Sequence, residues 1–210
     1  KAGPALADFD GNGKDDIVLG TDDNHIYLIL DDGTTAPGFP FVAGDKFQAA
    51  PSIADIDGEK IIFAGNNDNN LYAINSDGGL HFSLLTGDRV NTSPSFVNIN
   101  GDLFVVFGSR DNTIYVIDMD GNSLPGWPII LNGNIEGGIV LADLDGNNLP
   151  EIVTVTETGS VTVFHIDGNP YHHFPISNSI PFTGPAIIID LDNDNDLEII
   201  GGSLNNLTII

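Results

Sequence analysis

The chain has 210 residues, 41% of them hydrophobic, which is enough for one large β domain or two small ones with a real core. Thirty acidic residues against six basic ones give a formal charge of -24, which argues against nucleic acid and anionic lipid as partners, because both need a cationic face. With no cysteine there is no disulfide framework or cysteine zinc site, and no apolar run approaches the roughly 18 residues of a membrane span.

In chain order the same elements return five times. The first unit, 1–47, has an apolar lead-in "PALADFDG" (Pro4 to Gly11), a polar turn, the runs "DIVLG" and "HIYLIL", then Asp32-Gly33 and Phe39 in "PGFP". The second, 48–90, has "PSIADIDG" (Pro51 to Gly58), "KIIFAG", "NLYAIN" and Asp77-Gly78, with a shorter connection in which Phe82 takes the aromatic place. The third, 91–136, has "PSFVNING" (Pro94 to Gly101), "LFVVFG", "TIYVID", Asp120-Gly121 and Trp127 in "PGWP". The fourth, 137–182, has "GIVLADLDG" (Gly138 to Gly146), "EIVTV", "SVTVFH", Asp167-Gly168 and Phe174 in "HHFP". The fifth, 183–210, has "PAIIIDLDN" (Pro185 to Asn193) and "LEIIGG", and reaches "LTII" in its third predicted strand.

The leading polar residues Asp8, Asp55, Asn98, Asp143 and Asp190 are separated by 47, 43, 45 and 47 residues. Runs rich in Val, Ile, Phe and Tyr, divided by Gly, Asn and Asp turns, predict four short strands per unit; helix signals are absent. A four-stranded unit on this period predicts an all-β fold, a β-propeller of antiparallel blades. It has about five repeats, the last incomplete, in one region spanning residues 1–210. A two-sheet sandwich would not require an aromatic at one fixed offset, so Phe39, Trp127 and Phe174 favour the propeller and are expected to pack between blades. The opening at Lys1, without Met or a signal-like segment, reads as a processed product or a fragment. The incomplete fifth unit reads as part of a longer propeller, or else as an edge completed by another chain, a route to self-association.

The turn "DFDGNGKDD" is the chemically dense element. An EF-hand starting at Asp8 would need Glu at position 12, where Leu19 stands, and flanking helices, so that reading fails. A nine-residue cage survives: Asp8, Asp10, Asn12, the Lys14 carbonyl and Asp16 alternate around the loop, with Gly13 at the tight bend. The fourth unit repeats it as Asp143, Asp145, Asn147, the Leu149 carbonyl and Glu151, and the fifth as Asp190, Asp192, Asp194, the Asp196 carbonyl and Glu198. Asn148 and Asn195 occupy the bend in these two, and Asn is the non-glycine residue best suited to a left-handed conformation. An all-oxygen, mostly carboxylate set suits Ca²⁺ better than Mg²⁺, Zn²⁺ or Cu²⁺, so three Ca²⁺ sites are expected; the alternative is three Asx-rich turns without an ion. In the second and third units two residues are lost, position 9 with them, and "DIDGEK" and "NINGDL" read as tight hairpins without an ion.

The motifs "DFDGNGKDDIVLG", "DLDGNNLPEIVTV" and "DLDNDNDLEIIGG" on this period resemble FG-GAP or VCBS-type repeats, the blades of integrin α-subunit propellers and of many secreted bacterial proteins. The resemblance covers essentially the whole chain. It implies calcium at the three intact loops, between the first and second strands of a blade, and an extracellular or cell-surface setting; the two shortened loops depart from the family's pattern. "NNDNNLYAINSDGG" and "SRDNTIYVIDMDG" also resemble quinoprotein-like blades, with no case for a quinone cofactor.

No nucleophile elbow or phosphate loop is present. The leading expectation is a non-enzymatic adhesion module that binds an extracellular protein or glycan. The enzyme alternative, a calcium-dependent polysaccharide lyase, would have to find its base among Lys1, Lys14, Lys46, Lys60, Arg89 and Arg110. His25, His81 and His165 read as surface residues, and His172-His173 as an exposed linker. Two glycosylation sequons, at Asn91 and Asn206, matter only in a suitable secretory pathway.

Overall fold

The computed structural model describes residues 3–177, 180–203 and 207–210; Lys1 and Asn206 lie outside them. Every regular element among the described residues is a strand. The chain divides into two compact units, Lys1–Pro94 and Ser95–Ile210.

The first unit holds two four-stranded sheets. Sheet I is β1 (Ala5–Ala7), β2 (Asp16–Gly20), β3 (His25–Ile29) and β4 (Phe41–Val42), and sheet II is β5 (Ser52–Ile56), β6 (Glu59–Gly65), β7 (Asn70–Asn75) and β8 (Leu80–Leu85). The second unit holds three. Sheet III is β9 (Ser95–Ile99), β10 (Asp102–Gly108), β11 (Thr113–Ile117) and β12 (Ile129–Ile130), and sheet IV is β13 (Ile135–Ala142), β14 (Glu151–Thr156), β15 (Ser160–Phe164) and β16 (Ile176–Ser177). Sheet V has three strands: β17 (Ile187–Ile189), β18 (Glu198–Gly202) and β19 (Leu207–Ile209). In each sheet, strands adjacent in sequence pair antiparallel, as short polar turns between β-formers dictate.

β14, "EIVTVT", is buried at every residue, its polar Glu151, Thr154 and Thr156 included, and β6 and β10 are buried over their last several, mostly apolar residues. In the first unit Val18, Ile26, Leu28, Phe47, Ile62 and Ile74 form one core cluster. In the second, Val106, Ile114, Val116, Trp127, Ile135 and Ile152 form one, and Val153, Val155, Val161, Val163, Phe182 and Ile199 another.

The aromatic after each Asp-Gly turn packs inward. Trp127 is only 6% exposed, its Nε1 donates to the Ile166 carbonyl at 2.8 Å, and its ring meets Phe164 of sheet IV edge-on at 6.0 Å. It therefore joins sheet III to sheet IV and is no open platform for a sugar. The residue before it, Gly126, has φ 95° and sits so close to the Asp167-Gly168 turn that a Cβ would collide with the Asp167 carbonyl. Gly38, before Phe39, has φ 85° and meets Asp77-Gly78 of sheet II in the same way. Before Phe174 the equivalent residue is His173, left-handed at φ 70° in an exposed turn with His172.

Candidate metal centre

The first loop joins β1 to β2. The Asp8 carboxylate accepts from the backbone amides of Gly11 at 2.7 Å, Asn12 at 3.1 Å and Gly13 at 2.8 Å, which folds the loop around it. These donors, Gly13 foremost, hold the Asp8 carboxyl below its ordinary value against some desolvation, with a further contribution from the Lys60 charge. The Asn12 side-chain oxygen accepts from the Lys14 amide at 2.9 Å. Asp16, fully buried at the start of β2, accepts from the Phe9 amide at 2.8 Å and the Asp31 amide at 2.9 Å.

The fourth and fifth loops, β13 to β14 and β17 to β18, repeat this skeleton. Asp143 accepts from Gly146, Asn147 and Asn148 at 2.8, 3.1 and 2.8 Å, the Asn147 oxygen from the Leu149 amide at 2.7 Å, and buried Glu151 from the Leu144 amide at 2.8 Å. Asp190 accepts from Asn193 and Asn195 at 2.7 and 3.2 Å, Asp194 from the Asp196 amide at 2.9 Å, and Glu198 from the Leu191 amide at 2.7 Å. The sixth loop residue is left-handed in all three, with φ 86° at Gly13, 68° at Asn148 and 74° at Asn195, as the sequence predicts. The fourth residue is left-handed too, at Gly11, Gly146 and Asn193, which counting ligand positions alone does not reveal.

These skeletons bring acidic groups together. Asp8, Asp10 and Asp16 each place a ligand atom within 4.8 Å of the others, and so do Asp190, Asp192 and Asp194. In the fourth loop the trio is Asp145, Glu151 and His165. Asp143 and Glu198 stand outside the trios, their carboxylates engaged by backbone amides. The oxygen-rich trios of the first and fifth loops fit a hard divalent cation.

His165 corrects the reading of a simple surface histidine. It directly follows β15, with Nδ1 3.0 Å from Oε1 of Glu151, a side chain only 1% exposed. Ile152 pairs with Phe164 across β14 and β15, so Glu151 and His165 face one another although fourteen residues apart. The first loop has Leu30 at this place. Tyr171 tilts against the imidazole at 5.1 Å, and its hydroxyl ionises above the ordinary value, first through desolvation and then through the charges of Glu151, Asp145, Asp143 and Asp196.

Beside the first loop Lys14 pairs with Asp31 at 2.5 Å, and the other Asp31 oxygen accepts from Asn12 Nδ2 at 2.9 Å. In the second unit the turn is Asp57-Gly58, φ 52° and 91°, and in the third Asn100-Gly101, φ 56° and 102°. Both are two-residue hairpins with positive φ at each central residue, as predicted. Lys60 sits 3.2 Å from Asp55, the counterpart of Asp8, placing an ammonium where the longer loops gather carboxylates. Lys14, Lys60 and Arg89 thus each face a carboxylate. The Asn91 side chain turns its oxygen out of solvent.

No family model matches the chain, and no curated protein matches it. The resemblance to FG-GAP and VCBS repeats therefore stands on the loop residues. Solved structures do match. BamB from Moraxella catarrhalis superposes with a TM-score of 0.72 at 15% identity, over 100% of this chain and 57% of that one. The C-terminal domain of Pseudomonas aeruginosa PilY1 gives 0.66 at 14% identity, over 91% and 53%. The V. cholerae biofilm matrix protein Bap1 gives 0.64 at 25% identity, over 85% and 29%. These neighbours have propeller-type folds, and the chain spans a little over half the length of BamB and of the PilY1 domain.

Proposed function

We propose that the chain is a calcium-binding segment of a β-propeller of the FG-GAP or VCBS type. Its sheets are the blades, and it serves outside the cell as a non-enzymatic adhesion module that binds a protein or glycan. The observation that carries this reading is the recurrence of one hydrogen-bond skeleton at the same corner of sheets I, IV and V, around all-aspartate trios in I and V and around Asp145, Glu151 and His165 in IV. Three carboxylates within 4.8 Å repel by about 1 kcal/mol per pair in water-like surroundings and by more as the dielectric falls. A bound Ca²⁺ turns that repulsion into a clamp between the first and second strands of a sheet. Asp8, Asp10, Asn12, the Lys14 carbonyl and Asp16 would hold it in the first loop, with Asp143, Asp145, Asn147, the Leu149 carbonyl and Glu151 in the fourth, and Asp190, Asp192, Asp194, the Asp196 carbonyl and Glu198 in the fifth.

The setting has separate support. Millimolar extracellular Ca²⁺ fills sites of modest affinity, and one structural neighbour is itself a biofilm matrix protein. The pairing of Lys14, Lys60 and Arg89 with carboxylates leaves a lyase base hard to assign among them. The test is retention on arrays of extracellular glycans and proteins with Ca²⁺ and with chelator, alongside incubation with uronate polymers. Calcium-dependent retention without unsaturated products is the expected outcome. Calcium-dependent release of such products, or retention indifferent to chelator, contradicts the proposal.

A further inference from the structure

The fourth loop differs chemically from the first and fifth. In the first loop, the two oxygens of the buried position-9 carboxylate, Asp16, each accept from a peptide amide, Phe9 and Asp31, and a peptide nitrogen cannot ligate a metal. In the fourth loop one oxygen of Glu151 still accepts from a peptide amide, Leu144, but the other faces the Nδ1 of His165, an atom that can ligate. The trio there is two carboxylates and an imidazole, a formal charge of two against the three of the all-aspartate loops. A cavity of about 300 Å³ is lined by Glu151 and His165 of this trio together with Asn147, Leu149, Ile166 and Asp167, so these two donors border space for an ion's remaining water.

We infer that Asp145, Glu151 and His165 form a site for a borderline first-row divalent metal of the zinc or cobalt class, which this loop prefers to Ca²⁺. The inference rests on the reading of these loops as metal sites and revises which ion fills one of them. Calcium prefers oxygen and gains little from an imidazole, whereas Co²⁺ and Zn²⁺ bind mixed nitrogen and carboxylate sets strongly. Two carboxylates also neutralise a divalent ion. Three protein donors with an open side leave a position for water or an exchangeable ligand, the pattern of accessible zinc sites.

The test uses the full chain, stripped with chelator and titrated with Co²⁺ in millimolar Ca²⁺, followed by calorimetry and by the visible ligand-field band. One equivalent of Co²⁺ is expected to bind and to resist the calcium. His165→Leu, which installs the first unit's residue, is expected to weaken Co²⁺ binding at least about tenfold and leave Ca²⁺ binding at the first and fifth loops intact. Asp10→Ala is expected to leave Co²⁺ binding unchanged. Equal melting of the chelated wild type and His165→Leu establishes that the fold is kept, and His165→Gln serves as a second variant if it is not. Equal Co²⁺ affinity in wild type and variant, or displacement of Co²⁺ by Ca²⁺, overturns the inference. His165-dependent Co²⁺ binding in a protein that binds no Ca²⁺ would sink the calcium reading and uphold this one.

Discussion

Asn148 and Asn195 hold left-handed backbone where the first loop has glycine, and the amides there point at the carboxylates of Asp143 and Asp190. A β-carbon that lacks asparagine's local hydrogen bonding pays roughly 1–2 kcal/mol in that conformation. Asn148→Ala is therefore expected to destabilise the chelated protein by about 1 kcal/mol in urea unfolding and Asn148→Gly by much less; equal losses would refute the backbone argument. Tyr72 makes a separate prediction. It donates to Asp68 at 2.6 Å, and desolvation first, then that carboxylate, raise its ionisation from 10.0 to about 12. The folded state favours the neutral phenol, so its contribution is complete below pH 10 and is lost as pH rises towards 12. Tyr72→Phe should lessen the alkaline fall in unfolding free energy over that window; an unchanged fall contradicts the assignment. At this scale the bend residues Gly13, Asn148 and Asn195 were legible because left-handed backbone favours Gly and, among other residues, Asn. Gly11, Gly146 and Asn193 were not, because their conformation follows from amides turning toward a carboxylate three residues back.

The repeating element shows where sequence reasoning holds and where it fails. Alternating β-formers and Gly, Asn and Asp turns suffice for the four complete sheets, and the shortened "DIDGEK" and "NINGDL" do close as two-residue hairpins. The fixed aromatic offset likewise marks a packing position, since Trp127 is buried between sheets III and IV. Trp127→Ala is expected to cost about 3–5 kcal/mol, measured by denaturant unfolding of the second unit's signal, and Trp127→Phe less. A cost under about 1 kcal/mol would place the ring outside the core. His165 was illegible from the loop template because it lies outside the loop, just past the end of β15. The template spans nine residues, and the contact with Glu151 comes from the pairing of β14 with β15. Carrying the register from Ile152 and Phe164 one residue further places Glu151 opposite His165, so a strand-pairing argument could have found it.

At the scale of the whole molecule, a charge of -24 opposes compaction, and part of that charge is concentrated at three corners, two of them all-aspartate trios and the third Asp145 and Glu151 beside His165. On the proposed reading, a divalent cation bound at each corner would relieve the repulsion and join the first strand of a sheet to the second. The core clusters and strand pairing build the sheets without metal, so chelation is expected to lower stability without abolishing the fold. Differential scanning calorimetry with and without Ca²⁺ tests this most directly. An ion bound only by the native state raises stability by mass action, about 2.7 kcal/mol for each site held at a hundred times its dissociation constant. The account predicts a melting temperature that climbs with free Ca²⁺ and falls back when chelator is added, with Asp8→Ala reducing the climb. Superimposable melts in calcium and in chelator would contradict it.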